Sequence, residues 1–299
     1  MATPGQAPGN GRGDSWDAPV CPGVSVVRHH VQDAHCAYSM GHPMFAAPGI
    51  AARDLVWTLV RTDFKTRYHG TVGGFVWALL KPVSMFAVLL GVFSYIFASD
   101  AQYKVDLIIG LFLYEFFQEA TKTGLLSLKA KGYLLTKARF PSWVLIVSSA
   151  SNALITLTLF SVVLVLFLAM SGHPPSLAAV GLYTIYVLLF FVIATGFSLA
   201  ASVLFLRYRD LNQVWEVVTQ AGFFVAPIVY PIGVLPERLH KFLYIWPPTP
   251  VILFARGVLV DGRAPSLLGH ALLCGEAAAV LALGALIYRA HAPRVAEAL

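Results

Sequence analysis

Three charged residues stand in an otherwise apolar stretch at about 107–126, where their spacing could support chemistry. Glu115, Glu119 and Lys122 follow one another at i, i+4 and i+7, so a helix places them on one face, where Glu119 and Lys122 can pair. Charges at membrane depth are costly and normally face a protein interior or a water-filled path. Carboxylates in such a position can also serve an acid–base enzyme or a proton relay. The spacing therefore indicates either a polar path through a membrane or a reaction centre inside one.

The composition indicates that the element carrying these charges lies in a membrane. The 299 residues are 58% hydrophobic and 12% charged, whereas a soluble domain needs about a quarter of its residues charged. The net charge of +6 comes from basic residues that cluster in segments expected on the cytoplasmic side, where they set topology and meet anionic lipid. We therefore expect an integral membrane protein with no nucleic-acid partner.

Other catalytic and metal-binding signatures are absent from the sequence. It contains no Gly-Lys dipeptide, hence no Walker A loop, so an ATP-driven process would need a separate ATP-binding subunit. Neither HExxH nor GxSxG occurs. No metal is expected, because no standard site has the spacing of the histidines and cysteines near the N-terminus, which are Cys21, His29, His30, His35, Cys36 and His42.

A second group of charges forms a basic island at 127–141, between two apolar segments. It contains no acid, and its basic residues are Lys129, Lys131, Lys137 and Arg139. Short loops rich in Lys and Arg remain on the cytoplasmic side. An apolar stripe beside the charges favours a helix that lies at the membrane surface or docks on a partner, and it consists of Leu128, Tyr133, Leu134 and Leu135. A connector whose charges only set the topology is the alternative.

The N-terminal region has two parts. Residues 1–48 are rich in Gly, Pro, Ala and His without hydrophobic periodicity, which predicts a disordered cytoplasmic tail. Residues 49–70 predict an amphipathic helix at the membrane interface, with Val60 on its apolar face. The residues assigned to this interfacial site are Arg53, Trp57, Arg61, Phe64 and Lys65. A helix in a soluble core is the alternative.

Apolar runs predict an all-α integral membrane fold, with a transmembrane domain at 71–289 and a cytoplasmic tail at 290–299. Six spans are expected at about 75–97, 107–126, 143–170, 177–205, 214–230 and 266–288, with both termini in the cytoplasm. The run at 214–230 is short and ends at two prolines, so the alternatives for it are a span that only just crosses and a segment that enters the membrane and breaks. The prolines and short apolar pieces of 231–265 predict helices that enter the membrane and return, with Arg256 outside or in a vestibule.

Three stretches of the sequence carry a family resemblance. They are RDLVWTLVRTDFKTRYHGTVGGFVWALLKP at 53–82, GLFLYEFFQEATKTGLLSLKAKGYLLTKARFP at 110–141, and RYRDLNQVWEVVTQAGFFVAPIVYPIGVLP at 207–236. In this order they resemble the ABC-2 type permeases, and more narrowly the branch that exports polysaccharides. The similarity covers about 50–288. Ala226 stands where the family usually has Ser, a mild departure.

The resemblance implies a six-span permease in the cell inner membrane, paired with a second copy of itself as a homodimer. Two separate ABC ATPase subunits would bind ATP and Mg²⁺, so no cofactor is expected in this chain. The basic island becomes a coupling helix held in a cleft of the ATPase, and the helix at 49–70 lies against membrane lipids of the inner leaflet. The region 231–265 becomes external re-entrant helices. The implied cargo is a lipid-linked cell-envelope polysaccharide of galactan or O-antigen type.

Aromatic residues near the charged face are candidates to line a path for such a cargo, because sugar rings stack on aromatic side chains. The predicted path consists of Tyr114, Glu115, Phe116, Phe117, Glu119, Lys122, Phe223, Phe224 and Tyr230. Packing within the bundle is the alternative for each aromatic residue. A membrane-embedded transferase acting on a lipid-linked substrate, and a passive channel or scaffold, are alternatives for the whole protein.

Overall fold

A computed structural model describes residues 52–68, 74–96, 102–137, 140–170 and 174–298. Within these ranges every regular element is a helix, as the composition predicts. The α-helices are α1 (Ala52–Tyr68), α2 (Gly74–Phe93), α3 (Tyr103–Lys131), α4 (Tyr133–Lys137), α5 (Trp143–Met170), α6 (Leu177–Arg207), α7 (Leu211–Val225), α8 (Glu237–Leu243), α9 (Pro248–Leu259) and α10 (Leu267–Ala298). A 3-10 turn, Ile232–Val234, precedes α8. The predicted tail at 1–48 lies outside the described residues.

Helix α3 forms the centre of the bundle and packs along α5 and α6. Its buried side chains extend from Tyr103 to Leu128, and they point in several directions around the helix. A helix that is apolar nearly all round is stable only where neighbours cover it. Packing of the apolar residues of α3 therefore fixes the positions of the charged residues that lie between them.

Helices α6 and α10 approach each other closely where both carry a glycine. A methyl group added at Gly284 would overlap the main-chain carbonyl of Gly196. Small residues at a helix crossing allow the two backbones to approach, which is a common way of packing helices in membranes. Gly196 and Gly284 therefore set the distance between α6 and α10.

Three of the described helices are long and apolar enough to cross a membrane on their own: Trp143–Met170, Leu177–Arg207 and Leu267–Ala292. They correspond to three of the predicted spans. Helices α8 and α9 meet that criterion only as a pair, and they are bent by 112°. The described part of the chain therefore contains three such spans, or up to four if the bent pair counts as one. Helix α10 continues to Ala298, so most of the predicted tail at 290–299 is helical.

The predicted span at 214–230 is not one continuous helix. Helix α7 has 15 residues and ends at Val225, so it is about 22 Å long against a hydrocarbon core of about 30 Å. It ends there because Pro227 disfavours the helical conformation at Ala226, whose backbone is extended at φ −66° and ψ 137°. The break redirects the chain toward the 3-10 turn and α8.

The basic island is not a separate helix along its whole length. Helix α3 continues to Lys131, so the first part of the island forms its last turn, and only Tyr133–Lys137 forms a short helix after Gly132. The prediction of a single coupling helix over 127–141 was therefore wrong in extent. The physical reason is that Leu125 and Leu128 prolong the buried face of α3 and keep its end within the bundle.

Candidate functional site

A groove follows α3 on the side that faces α2 and α7, and it collects the charged residues of these helices. Its polar half has a volume of about 450 Å³ and contains Lys81 of α2, Glu119 of α3 and Glu216 of α7. The Lys81 ammonium donates to the Glu115 carboxylate at 2.6 Å, and the Lys122 ammonium contacts Glu216 at 3.3 Å. We call this cavity and its apolar continuation the α3 groove.

The apolar half of the α3 groove has a volume of about 680 Å³ and opens beside the polar half. Pro82, Met85 and Val88 of α2 form one wall, and Phe223 and Phe224 of α7 form the other. The two halves are continuous, since both are lined by Lys81, Glu115, Gln118 and Gln220. A ligand in this groove would meet apolar side chains at one end and charges, amides and hydroxyls at the other.

Helix α3 brings Glu115, Glu119 and Lys122 to the same cavity. The partner of Lys122 comes from α7, 94 residues along the chain, and is Glu216. Sequence reasoning did not assign Lys81 or Glu216 to the path. Lys81 and Glu216 are each a charged residue within an apolar helix. Glu115 was identified by the same signal, so this signal would also have identified Lys81 and Glu216.

Three of the predicted path aromatics, Phe116, Phe117 and Tyr230, do not line the groove. Phe116 and Phe117 are 3% and 1% exposed, and both pack against Phe190 of α6, Phe117 in a stacked and Phe116 in a tilted arrangement. Tyr114 reaches the groove wall but is 1% exposed, and its hydroxyl donates to the Thr219 carbonyl. A partner subunit could only bury these side chains further. Placing Phe116 and Phe117 in the path was therefore wrong, because the same turn of α3 that presents Glu115 directs them into the core.

The three aromatic residues predicted from 223–230 have different roles. Phe224 is 70% exposed and lines the apolar half together with Phe223, whose ring packs edge-on against Tyr114. The Tyr230 hydroxyl instead donates to the carbonyls of Phe224 and Val225. These carbonyls are at the end of α7, where a helix leaves acceptors without intrahelical partners. Tyr230 therefore caps α7.

A polar cluster lies where α1, α3 and α5 meet. Lys131 of α3 donates to Asp63 of α1 and, at 2.8 Å, to the hydroxyl of Ser149. Asn152 of α5 donates to the same Asp63 oxygen at 3.2 Å. The side chains of Lys131 and Asp63 are 20% and 24% exposed. Lys131 is therefore committed to an internal contact and does not belong to a free docking surface.

The remaining residues of the basic island divide into buried and exposed sets. Leu128 is fully buried, so its assignment to a docking surface was wrong. Leu134 and Leu135 are half-buried against the small cluster around Leu128. The exposed side chains are Lys129, which lies over the Phe205 ring, and Tyr133 and Lys137, which lie together in a cation–π contact. Arg139 lies outside the described residues.

Helix α1 does not carry one continuous membrane-facing apolar stripe. Val60 is 4% exposed and Leu59 packs against the cluster that contains Leu145 of α5, so this side of α1 docks on the bundle. Trp57 is 66% exposed, although it was predicted on the same face as Val60. The outward side also carries Arg53, Arg61 and Lys65, while Phe64 is half-buried. The apolar residues of α1 therefore lie on two sides of the helix: Leu59 and Val60 pack on the bundle, and Trp57 faces outward.

Arg256 of α9 is buried rather than exposed in a vestibule. Its guanidinium donates to the carbonyls of Asp106 at 2.9 Å, Pro227 at 2.6 Å and Ile228 at 3.1 Å. These acceptors belong to the start of α3 and to the turn after α7. Arg256 thus ties the bent α8–α9 pair to the break that follows α7. Among the described residues, no group of three or more His, Cys, Asp or Glu side chains could hold a metal ion.

Comparison with known proteins gives a family and several relatives. The sequence model of the family described as ABC-2 type transporter matches residues 54–260, which is well over half of the chain. The O-antigen export system permease protein RfbA of Klebsiella pneumoniae is 26% identical over 210 residues, covering 70% of this chain and 81% of the relative. The protein of the same name in Myxococcus xanthus is 26% identical over 198 residues, covering 64% and 74%. The polysialic acid transport protein KpsM of Escherichia coli is 21% identical over 211 residues, covering 69% and 81%.

Proposed function

Because this chain belongs to the ABC-2 type transporter family, we propose that it is the membrane permease subunit of an ABC exporter. Its cargo is a lipid-linked cell-envelope polysaccharide of galactan or O-antigen type, which moves from the cytoplasmic side across the inner membrane. The relatives support a polysaccharide cargo, since they are named as O-antigen and polysialic acid transporters.

The observation that carries this proposal is the two-part chemistry of the α3 groove. A lipid-linked glycan has an apolar chain and a hydroxylated part, and the groove joins a wall of Met85, Val88 and Phe224 to a half lined by charges and amides. Aromatic side chains and polar groups that exchange hydrogen bonds with water allow a glycan to slide without being trapped.

Energy for transport comes from ATP bound by a separate ATPase subunit, because the sequence lacks a Walker A loop. Two such subunits serve a homodimer of this chain, and they hold the ATP and Mg²⁺. The exposed end of the basic island, at Tyr133 and Lys137, is the docking surface that we propose for them. Tyrosine suits this role because it supplies apolar area together with a hydrogen-bonding hydroxyl.

We assign six crossings to α2, α3, α5, α6, α7 with the turn that follows it, and α10. Both termini are then cytoplasmic, which leaves the basic island inside, as the bias of Lys and Arg toward cytoplasmic loops requires. Helix α1 lies along the inner leaflet, where Trp57, Arg53 and Arg61 face lipid headgroups. The bent α8–α9 pair lies on the external side as a re-entrant element, and its 112° bend supports this assignment.

Depletion of the chain in its host tests the proposed function. A lipid-linked glycan should accumulate on the cytoplasmic side, and re-expression of the wild-type chain should clear it. An ATPase subunit should co-purify with the tagged chain. If no glycan accumulates while the ATPase remains bound, the cargo assignment is wrong. If the purified chain alone turns over a lipid-linked substrate, the protein is a transferase instead.

A further inference from the structure

A second cavity lies between the bent α8–α9 pair and the first turns of α10. It has a volume of about 770 Å³, within the range of pockets that bind small molecules. Its wall is mostly apolar and includes Ile245, Phe254 and Leu272. None of the described residues that line it also lines the α3 groove, so it is a separate site. We call it the α10 cavity.

Hydrogen bonds behind the wall of the α10 cavity hold Phe254 in position. The Phe254 ring packs against Tyr186 and His270, with ring centres 5.8 Å and 6.2 Å away. The Tyr186 hydroxyl lies 2.8 Å from His270 Nε2, and His270 Nδ1 lies 3.0 Å from the Ser266 carbonyl. The tautomer with its proton on Nδ1 satisfies both contacts, because Nδ1 then donates to the carbonyl and Nε2 accepts from the hydroxyl. The Phe254 side of the cavity is therefore preformed.

The α10 cavity contains two opposite charges that come from different helices. Glu276 of α10 is half-buried in its wall, and Lys241 of α8 lines it as an exposed side chain. No other described residue forms an ion pair or a hydrogen bond with either side chain, and the two do not pair with each other. A carboxylate within an apolar membrane helix is costly and normally has a cationic partner. In this arrangement the Glu276 carboxylate therefore needs a cation from outside the described part of the chain.

The position of Glu276 along α10 directs its carboxylate toward lipid headgroups. The 26 residues from Leu267 to Ala292 are long and apolar enough to cross a membrane. They extend over about 39 Å, against a hydrocarbon core of about 30 Å, so the first turn reaches the headgroup region. Glu276 lies about 14 Å along the axis from Leu267, and helical side chains tilt toward the N-terminus of their helix. The carboxylate therefore points back toward the membrane surface, and a headgroup that enters the cavity reaches it.

From these observations we infer that the α10 cavity binds a zwitterionic phospholipid whose headgroup carries a primary ammonium, as in phosphatidylethanolamine. The lipid ammonium contacts Glu276, its phosphate contacts Lys241, and an acyl chain lies against Phe254 and Leu272. A primary ammonium donates hydrogen bonds to a carboxylate, which the quaternary ammonium of phosphatidylcholine cannot do. Phosphatidylglycerol supplies the phosphate alone and leaves Glu276 without a cation. The inference does not depend on the proposed cargo.

The test uses three lipid probes that share a diazirine-labelled acyl chain and differ only in their headgroup. They are phosphatidylethanolamine, phosphatidylcholine and phosphatidylglycerol, each added in trace to phosphatidylcholine nanodiscs that contain the full-length chain in the assembly in which it purifies. After irradiation, mass spectrometry compares labelling at the cavity residues 268–276 with labelling at Leu283, an exposed position of α10 outside the cavity.

The ratio of cavity labelling to Leu283 labelling should be about tenfold higher for the phosphatidylethanolamine probe than for the other two. The reason is that a hydrogen bond between an ammonium and a carboxylate is worth about that factor in affinity. Equal ratios for the three probes overturn the inference. Absence of cavity labelling by every probe also overturns it, because a protein surface then covers the cavity.

Two substitutions assign the headgroup contacts. Glu276→Gln should lower the phosphatidylethanolamine ratio about tenfold, to that of phosphatidylcholine, and should not lower the phosphatidylglycerol ratio. Lys241→Gln should lower the ratios of all three probes, because each carries a phosphate. Glu237→Gln, an exposed position on α8 outside the cavity, is the matched control and should leave all three ratios unchanged. A wild-type headgroup preference in Glu276→Gln, or unchanged ratios in Lys241→Gln, contradicts the proposed contacts.

A third substitution tests whether the lipid occupies the cavity itself. Leu272→Trp enlarges a wall residue and should abolish the preference for the phosphatidylethanolamine probe. Leu286→Trp makes the same change on the same helix outside the cavity and should retain the preference. Leu272 and Leu286 are 66% and 64% exposed, so both variants should fold, which the thermal midpoint checks. A preserved preference in a folded Leu272→Trp protein would place the lipid outside the cavity and overturn the inference.

Discussion

Lys131, the last residue of α3, donates to the Asp63 carboxylate of α1 across 68 residues of sequence. Asn152 of α5 donates to the same carboxylate, so three helices meet at one acid. Since α4 follows Lys131 after a single glycine, a displacement of α4 by an ATPase subunit would act directly on this contact. The cluster is therefore the mechanical connection that we expect between the docking surface and α1.

Replacing Asp63 with alanine should destabilise the protein. The change removes the acceptor of the half-buried Lys131 and of the buried Asn152, so the free energy of unfolding should fall by about 1–3 kcal/mol. Thermal unfolding in detergent, followed by the aggregation midpoint, measures the effect. Asp54→Ala is the control, since its pair with Arg53 is largely exposed at 60% and 93% and should contribute little. Equal midpoints for the two variants would contradict the structural role of Asp63.

Tyr133→Asp should abolish association with the ATPase subunit without unfolding the permease. Tyr133 is 60% exposed, so a charge there costs little in the free chain but would be desolvated in an interface. Co-purification of the ATPase with the tagged permease checks this. Tyr95→Asp makes the same change at an 86% exposed tyrosine after α2 and should retain the ATPase. Normal ATPase recovery with Tyr133→Asp would place the docking surface elsewhere.

Single cysteines should distinguish the groove face of α3 from its buried face. In a background with Cys21, Cys36 and Cys274 replaced by serine, Glu115→Cys and Glu119→Cys should react rapidly with a polar, membrane-impermeant maleimide in open membranes. Ala120→Cys is the control, because Ala120 is fully buried. Its thiol should react about tenfold more slowly or less, since reaction there needs local opening. Faster labelling at 120 than at 119 would reverse the orientation of α3.

Arg256→Met should lower the amount of folded protein sharply. The change removes three hydrogen bonds from a charged donor to buried carbonyls, and the expected loss is about 3 kcal/mol or more. Membrane levels and the thermal midpoint report it. Arg263→Met, at an exposed arginine after α9, is the matched control and should behave like the wild type. A stable Arg256→Met protein would show that the α8–α9 pair does not depend on this contact.

Gly284→Ala should force α6 and α10 apart. The added methyl group would overlap the Gly196 carbonyl, and overpacking of this kind costs about 1–3 kcal/mol. Gly275→Ala is the control on the same helix, since an added methyl group there meets nothing within 4 Å. A thermal midpoint lower for Gly284→Ala than for Gly275→Ala is the expected result. The reverse order would contradict the close approach of the two helices.

Several features of the fold follow from sequence because they depend on local composition. The long apolar runs that begin near Trp143 and Leu177 predict helices almost residue for residue, since a helix in lipid must satisfy its own backbone hydrogen bonds. The i, i+4, i+7 spacing likewise places Glu115, Glu119 and Lys122 on one face. These properties need only the periodicity of a helix and the polarity of its residues.

Only the tertiary structure decided which neighbours those faces meet. Phe116 follows Glu115 directly in the sequence, yet the two side chains meet different neighbours. Helix α6 covers Phe116, whereas α2 and α7 leave a cavity beside Glu115, and helical periodicity does not predict this difference. The same holds for Val60, which α5 buries, and for Lys122, whose partner Glu216 lies 94 residues away. Helix formation is a local event, whereas the burial of one helix face depends on the packing of helices that are distant in sequence, and local patterns do not encode that packing.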